Sequence, residues 1–142
     1  MIYTEQTKKA MKLCFEAHKE QVDKSGVPYV FHPFHLAEQM QTEETVITAL
    51  LHDVIEDTEY TLGDLRNMGF SEQVIEAVSL LTHDDESEYM HYIMRIRQNP
   101  VARVVKLADL RHNSDLSRLD RIDEKALRRC EKYQKAIALL SE

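Results

Sequence analysis

Glycine and proline are scarce, at three each in 142 residues. That is too few turn formers for an all-β chain, and composition alone favours helices. Cysteine is rarer: Cys14 and Cys130 lie far apart, outside any CxxC or Cys/His-finger spacing. Two buried free thiols in a reducing compartment are expected, not a disulfide framework. No apolar run approaches the roughly 20 residues that span a bilayer, and the N-terminus lacks a secretory core. The expectation is a soluble, unexported, cytoplasmic protein with no membrane partner. Positive charge is also short, with 18 Lys and Arg against 25 Asp and Glu, a formal net charge of -7. Duplex nucleic acid would be repelled over most of such a surface, so no nucleic-acid partner is expected. A small phosphorylated ligand stays compatible, because a local basic cluster or a bound cation can reverse the sign of one pocket.

What is present reads as one all-α domain over residues 1–142, a compact helical bundle with no internal repeat or linker. Ala10, Leu13, Cys14 and Ala17 share one face of a helix from about Thr4 to Gln21, followed by the turn Asp23-Lys24-Ser25-Gly26-Val27-Pro28. Pro33 suits the start of a second helix reaching about Met40. A third, Glu43 to about Glu56, is apolar on nearly every side and should be central. Thr61 with Asp64, and Ser71, resemble helix-start caps, and Gly69 suits a helix end. His83 to Ser87 is expected as an acidic loop. Further helices should run from Glu88 to Gln98, from Pro100 to about Leu119, and onward from an Asp123 cap. In the last, Leu127, Cys130, Tyr133, Ile137 and Leu140 step by three or four. Seven or eight helices are expected, and no strand.

Polar residues inside such apolar segments need a reason. Three clusters stand out: His32-Pro33, His52-Asp53-Val54-Ile55-Glu56-Asp57, and Lys106-Leu107-Ala108-Asp109. Imidazole and carboxylate donors without thiolates suit Mn, Fe or a similar divalent ion. Adjacent helical residues point about 100° apart. His52 and Asp53 can therefore share one ion only near a helix end, with His32 and Asp109 as candidates for the remaining ligands. Glu56 follows His52 by four residues and Asp57 follows Asp53 by four, so one helical end can present all four groups to one cavity. Asp109, His112 and Asn113 share a face of another helix, and Lys106 lies three residues before Asp109. Plainer roles stay open: His32 as a cap before Pro33, Glu56 and Asp57 as helix-end decoration, Lys106 and Asn113 in salt bridges or caps, His112 as a polar neighbour. His18, His35, His83 and His91 read as surface or boundary residues. Tyr89, Tyr92 and Arg95 could border a nucleotide pocket or simply form a packed helix face.

Taken in order, Gly26-Val27-Pro28-Tyr29-Val30-Phe31-His32-Pro33, Leu50-Leu51-His52-Asp53-Val54-Ile55-Glu56-Asp57-Thr58 and Val105-Lys106-Leu107-Ala108-Asp109 resemble the HD hydrolase domain of the RelA/SpoT family, over roughly residues 5–140. The resemblance implies a metal-dependent phosphohydrolase of the HD superfamily that removes 3′-pyrophosphate from guanosine polyphosphates such as ppGpp. It implies one divalent ion, usually Mn²⁺, held by His32, His52, Asp53 and Asp109, with Glu56 and Asp57 orienting or activating water. Lys24, Lys106 and Asn113 would meet the substrate. The chain is too short for the synthetase and regulatory domains of long family members, and a homo-oligomer is left open. One departure is sharp: the turn before Gly26 commonly carries Arg-Lys, whose arginine stacks on guanine, whereas this chain has Asp23-Lys24. Another HD phosphohydrolase, acting on a different nucleotide or phosphorylated metabolite, is the alternative, as is a nucleotide-binding HD protein without turnover.

Overall fold

The computed structural model describes residues 1–83 and 88–142; most of the expected acidic loop therefore lies outside the described residues. Nine α-helical segments and one 3₁₀ turn are described, with no strand among those residues. They are α1 (Glu5–His18), α2 (Phe31–Glu38), α3 (Glu43–Leu51), α4 (Val54–Asp57), α5 (Leu62–Asn67), α6 (Glu72–Leu81), α7 (Tyr89–Arg97), α8 (Pro100–Asn113), the 3₁₀ turn Leu116–Arg118, and α9 (Glu124–Ser141). No helix among them is long and apolar enough to cross a membrane.

Local chemistry fixes the helix starts. Thr4 with Thr7, Thr42 with Thr45 and Thr61 with Asp64 form reciprocal capping boxes, while Ser71, Asn99 and Asp123 cap α6, α8 and α9 through single side-chain acceptors. After α5, Gly69 takes φ +89°, a left-handed geometry that releases the chain toward α6.

Helix α3 is the axis of the bundle. Every residue from Thr45 to Leu51 is buried, and α1, α2, α6 and α8 pack around it. That explains the lack of a polar stripe: a helix surrounded by helices has no solvent face. Cys14 is buried and free, as expected, but Cys130 is only half-buried, its Sγ 3.7 Å from the Ser114 carbonyl oxygen. The buried face of α9 runs through Ala126, Ala136 and Leu140 instead of Leu127, which stays 51% exposed. Leu127 sits about 100° around the helix from Ala126.

Two helices are shorter than the sequence suggests. The one expected from Glu43 to Glu56 ends at Leu51 and restarts as the single turn α4. The one expected to reach Leu119 ends at Asn113; Ser114 closes it, and the Asp115 carboxylate then accepts from Ser117 N–H to start the 3₁₀ turn.

Candidate metal centre

The break after α3 builds the centre. His52 keeps helical angles, but Asp53 takes φ −107° and ψ 2°, which leaves the helical path before α4 begins. In an unbroken helix these neighbours would diverge by about 100°. Here His52 Nε2 lies 3.1 Å from Asp53 Oδ2. Helix α2 contributes His32 from its first turn, and α8 contributes Asp109. His32 Nε2 is 2.9 Å from Asp109 Oδ1, and His52 Nε2 is 3.5 Å from the same oxygen. Donor atoms of His32, His52 and Asp109 all fall within 4.8 Å of one another.

Hydrogen bonds set the donor atoms' state. His52 Nδ1 donates to the Ala49 carbonyl oxygen at 2.6 Å, which places a ring proton there, so that the neutral ring offers its lone pair at Nε2. That Nε2 is buried and makes no hydrogen bond, although two carboxylate oxygens face it. A lone pair confronting carboxylates in a buried site calls for a cation between them. The donor set passes this test: imidazole and carboxylate groups converge on one point, as a divalent ion requires.

The two carboxylates are driven in opposite directions. Burial pushes Asp53 well above the usual carboxylate range, and the negative charges of Asp109 and Asp57 add to it. The Tyr29 hydroxyl donates to Asp53 Oδ2. Asp109 is also buried, which works against ionisation. The Lys106 ammonium 2.9 Å from Oδ2 and the hydrogen bond from His32 Nε2 to Oδ1 outweigh burial and hold it well below the usual range. Asn113 Nδ2 adds a bond to Oδ1 at 3.0 Å. Lys106 stays charged despite its own burial, raised by Asp109 and by Tyr92 and Tyr89, and its Nζ lies 5.3 Å from the Tyr92 ring centroid. Burial lowers the pKa of His32 and favours the neutral ring a ligand needs. It also depresses His112, helped by Arg118, to about 4.

Beside the centre lies a cavity of about 480 Å³, whose lining includes Tyr29, His32, Asp53, Asp57 and Asn113 together with Lys24, Arg118, Arg129 and Tyr133. Glu56 belongs to a second carboxylate group with Asp53 and Asp57, their oxygens within 4.8 Å, and its Oε1 accepts the His83 N–H at 2.7 Å. Of the residues singled out as substrate contacts, Lys24 and Asn113 line the cavity. Lys106 stands behind Asp109, outside the lining. Tyr92 is buried, its hydroxyl donating to the Leu81 carbonyl oxygen, so it packs beneath Lys106 and does not border the cavity. His18, expected near the surface, is buried against Tyr29, with Gln21 Oε1 2.8 Å from its Nδ1.

Position 23 has its own logic. Asp23 Oδ1 accepts from the N–H groups of Ser25 and Val27 at 2.9 and 3.0 Å, and Gly26 takes φ +81° to close the turn. Oδ2 faces the Arg118 guanidinium at 3.7 Å, and Ser25 Oγ donates to the Arg118 carbonyl oxygen at 2.8 Å. The carboxylate thus shapes the loop that carries Lys24 and brings a guanidinium to the same corner. Sequence reasoning passed over Arg118, Arg129 and Tyr133. The spacing Ala126, Arg129, Tyr133 on one face of α9 was the available signal.

The HD domain family model matches residues 10–134. The chain belongs to the HD-domain family. It is 32% identical over 119 residues to the guanosine-3′,5′-bis(diphosphate) 3′-pyrophosphohydrolase of Aquifex aeolicus, covering 75% of this chain and 17% of that protein. Against the bifunctional (p)ppGpp synthase/hydrolase SpoT of Escherichia coli it is 35% identical over 113 residues, covering 69% and 16%. Against the GTP pyrophosphokinase of Streptomyces coelicolor it is 34% identical over 121 residues, covering 76% and 14%. This HD-domain chain therefore spans less than a fifth of the length of these relatives. A solved structure described as a metazoan ortholog of SpoT that hydrolyses ppGpp shares the fold, with a TM-score of 0.78 at 22% identity, covering 99% of this chain and 87% of that one.

Proposed function

We propose that the chain is a metal-dependent phosphohydrolase that removes 3′-pyrophosphate from a guanosine polyphosphate such as ppGpp. The observation that carries this reading is the buried His52 Nε2 without a hydrogen bond, facing Asp53 and Asp109 with His32 alongside, next to a cavity that Lys24, Arg118 and Arg129 also line. In this reading His32, His52, Asp53 and Asp109 hold one divalent ion; the nitrogen–oxygen donor set suits Mn, Fe or a similar ion, and the resemblance to the RelA/SpoT hydrolase domain favours Mn²⁺. When bound, the ion supplies positive charge that makes nearby water more acidic and offsets charge on phosphate oxygens. Asp57 at the cavity wall and Glu56 beside it orient the attacking water and take its proton. The water oxygen bonds to phosphorus as the bond between phosphorus and the 3′ oxygen breaks, and the nucleoside product leaves with its 5′ phosphates intact.

Lys24 and Arg129 suit those 5′ phosphates. Partial burial, and then the positive charges of Arg129, Lys125 and Lys132, lower the Lys24 pKa, marking a basic corner on a chain that is acidic overall. Asn113 is assigned to both Asp109 and the substrate, while Lys106 acts on Asp109. A cytoplasmic location accords with such a substrate.

The test is to incubate the Mn²⁺-loaded protein with ppGpp and follow pyrophosphate and GDP. Absence of pyrophosphate while another nucleotide is cleaved rejects the substrate assignment. One observation favours that outcome: Asp23 is spent on its turn and on Arg118, so no side chain at position 23 is free to stack on guanine. An HD phosphohydrolase acting on another nucleotide or phosphorylated metabolite is the second reading.

A further inference from the structure

Beside His32 stands an imidazole with no task so far. His112 lies three residues after Asp109 on α8, its ring edge to edge with that of His32, centroids 4.9 Å apart and planes 5° from parallel. The two Nδ1 atoms are 2.7 Å apart. Nitrogens at this distance share a single proton: two protons would collide, and none would set lone pair against lone pair. For a neutral His32 to offer its Nε2 lone pair to a cation, its proton must sit on Nδ1, where His112 Nδ1 is placed to accept it. At His52 the Ala49 carbonyl oxygen serves the same purpose.

We propose that His112 is a positioning residue of the metal centre, holding His32 as the Nδ1–H tautomer so that Nε2 faces Asp109 and the cation. The inference rests on the reading of His32 as a ligand. An imidazole can do what a carbonyl cannot, since the same nitrogen accepts in one tautomer and donates in the other. Without a cation, His32 Nε2 donates to Asp109 Oδ1 at 2.9 Å, and His112 Nδ1–H donates to His32 Nδ1. With Nε2 turned to a cation, His32 would instead carry its proton at Nδ1 and His112 Nδ1 would accept it. The rest of His112 is braced for this role: Arg118 Nη1 donates to its carbonyl oxygen at 2.8 Å, and the His35 ring lies 4.2 Å away.

His112→Phe keeps an aromatic ring but has no nitrogen, whereas His112→Asn keeps an acceptor close to the Nδ1 position. Calorimetric titration with Mn²⁺ should find His112→Phe weaker by about 10- to 100-fold and His112→Asn within about threefold of the parent. In ¹⁵N-histidine-labelled protein loaded with diamagnetic Zn²⁺, a scalar coupling should cross from one Nδ1 to the other, with the proton bonded to His32. Undiminished Mn²⁺ affinity in His112→Phe, absence of the coupling, or a proton bonded to His112 Nδ1 overturns the proposal. His32→Ala separates the two layers. If it binds Mn²⁺ like the parent, the ligand reading itself fails; if it loses the ion while His112→Phe keeps it, only the role of His112 fails. Should His112→Phe not fold, the spectrum of the parent protein decides.

Discussion

His52 and Asp53 are neighbours in sequence whose side chains meet: Nε2 of one lies 3.1 Å from Oδ2 of the other because the helix stops between Leu51 and Val54. The centre depends on that interruption as much as on the residues themselves. It lets the end of the most buried helix deliver two donors to one point, while α2 and α8 supply the others.

Asp53→Ala should therefore remove both the bound ion and the activity. The loss of Mn²⁺ affinity should be on the order of 100-fold or more, above the range for residues that only support ligands. Helical content should hold, because Asp53 lies outside α3 and caps no helix through its side chain. Circular dichroism beside Mn²⁺ titration checks both halves, and an unaltered affinity would falsify the ligand assignment.

Glu56→Gln probes the other carboxylate group. The amide keeps the size of the side chain and can still accept from His83 N–H through its carbonyl oxygen, so the fold and the ion should remain. The rate constant should drop by about 10²- to 10⁴-fold, the usual contribution of a group that moves a proton. Steady-state kinetics on the Mn²⁺-loaded variant decides; full kcat would leave Glu56 a purely structural contact.

Part of this arrangement was legible in the sequence and part was not. His32, His52, Asp53 and Asp109 drew notice because polar groups inside apolar helices are expensive to bury without a partner. Their convergence is geometry the pattern implied. The helix break was not implied: neither Gly nor Pro marks it, and Val54, Ile55 and Glu56 read as one more helical turn. Tyr29 on Asp53 and His18 beneath Tyr29 are contacts between separate elements that helical spacing does not fix, whereas Lys106 on Asp109 follows from a spacing of three. Leu127 misled because periodicity finds a stripe but not which edge of it turns to the bundle.

Lys24→Ala and Arg129→Ala test the basic corner. Each removes a cation from the cavity lining, so KM should rise by about 10-fold or more while kcat changes little, as expected for a charge-assisted contact made equally before and during reaction. The effect should shrink at high salt, where exposed charges are screened. A fall in kcat at unchanged KM would place these residues at the reacting phosphate instead.

Stability should decline on the alkaline side through Cys14. Burial pushes this thiol from 9.0 up to about 12, with a smaller push from the Asp53 charge. Below pH 9 both folded and unfolded chains keep the proton, and the thiol contributes no pH dependence. Between pH 9 and about 12 the unfolded chain releases it while the folded chain retains it. The unfolded state then binds fewer protons, so unfolding becomes easier as pH rises, by at most about 1.4 kcal/mol per pH unit from this group. Tyr89, also raised by burial to about 12, adds a similar slope above pH 10. Cys14→Ala isolates the thiol: truncation at this fully buried position lowers stability by a constant amount, but the alkaline slope should flatten. Urea midpoints of metal-free protein at pH 8 and pH 10 give the comparison. Parallel pH profiles for the two proteins would show that Cys14 does not carry the shift.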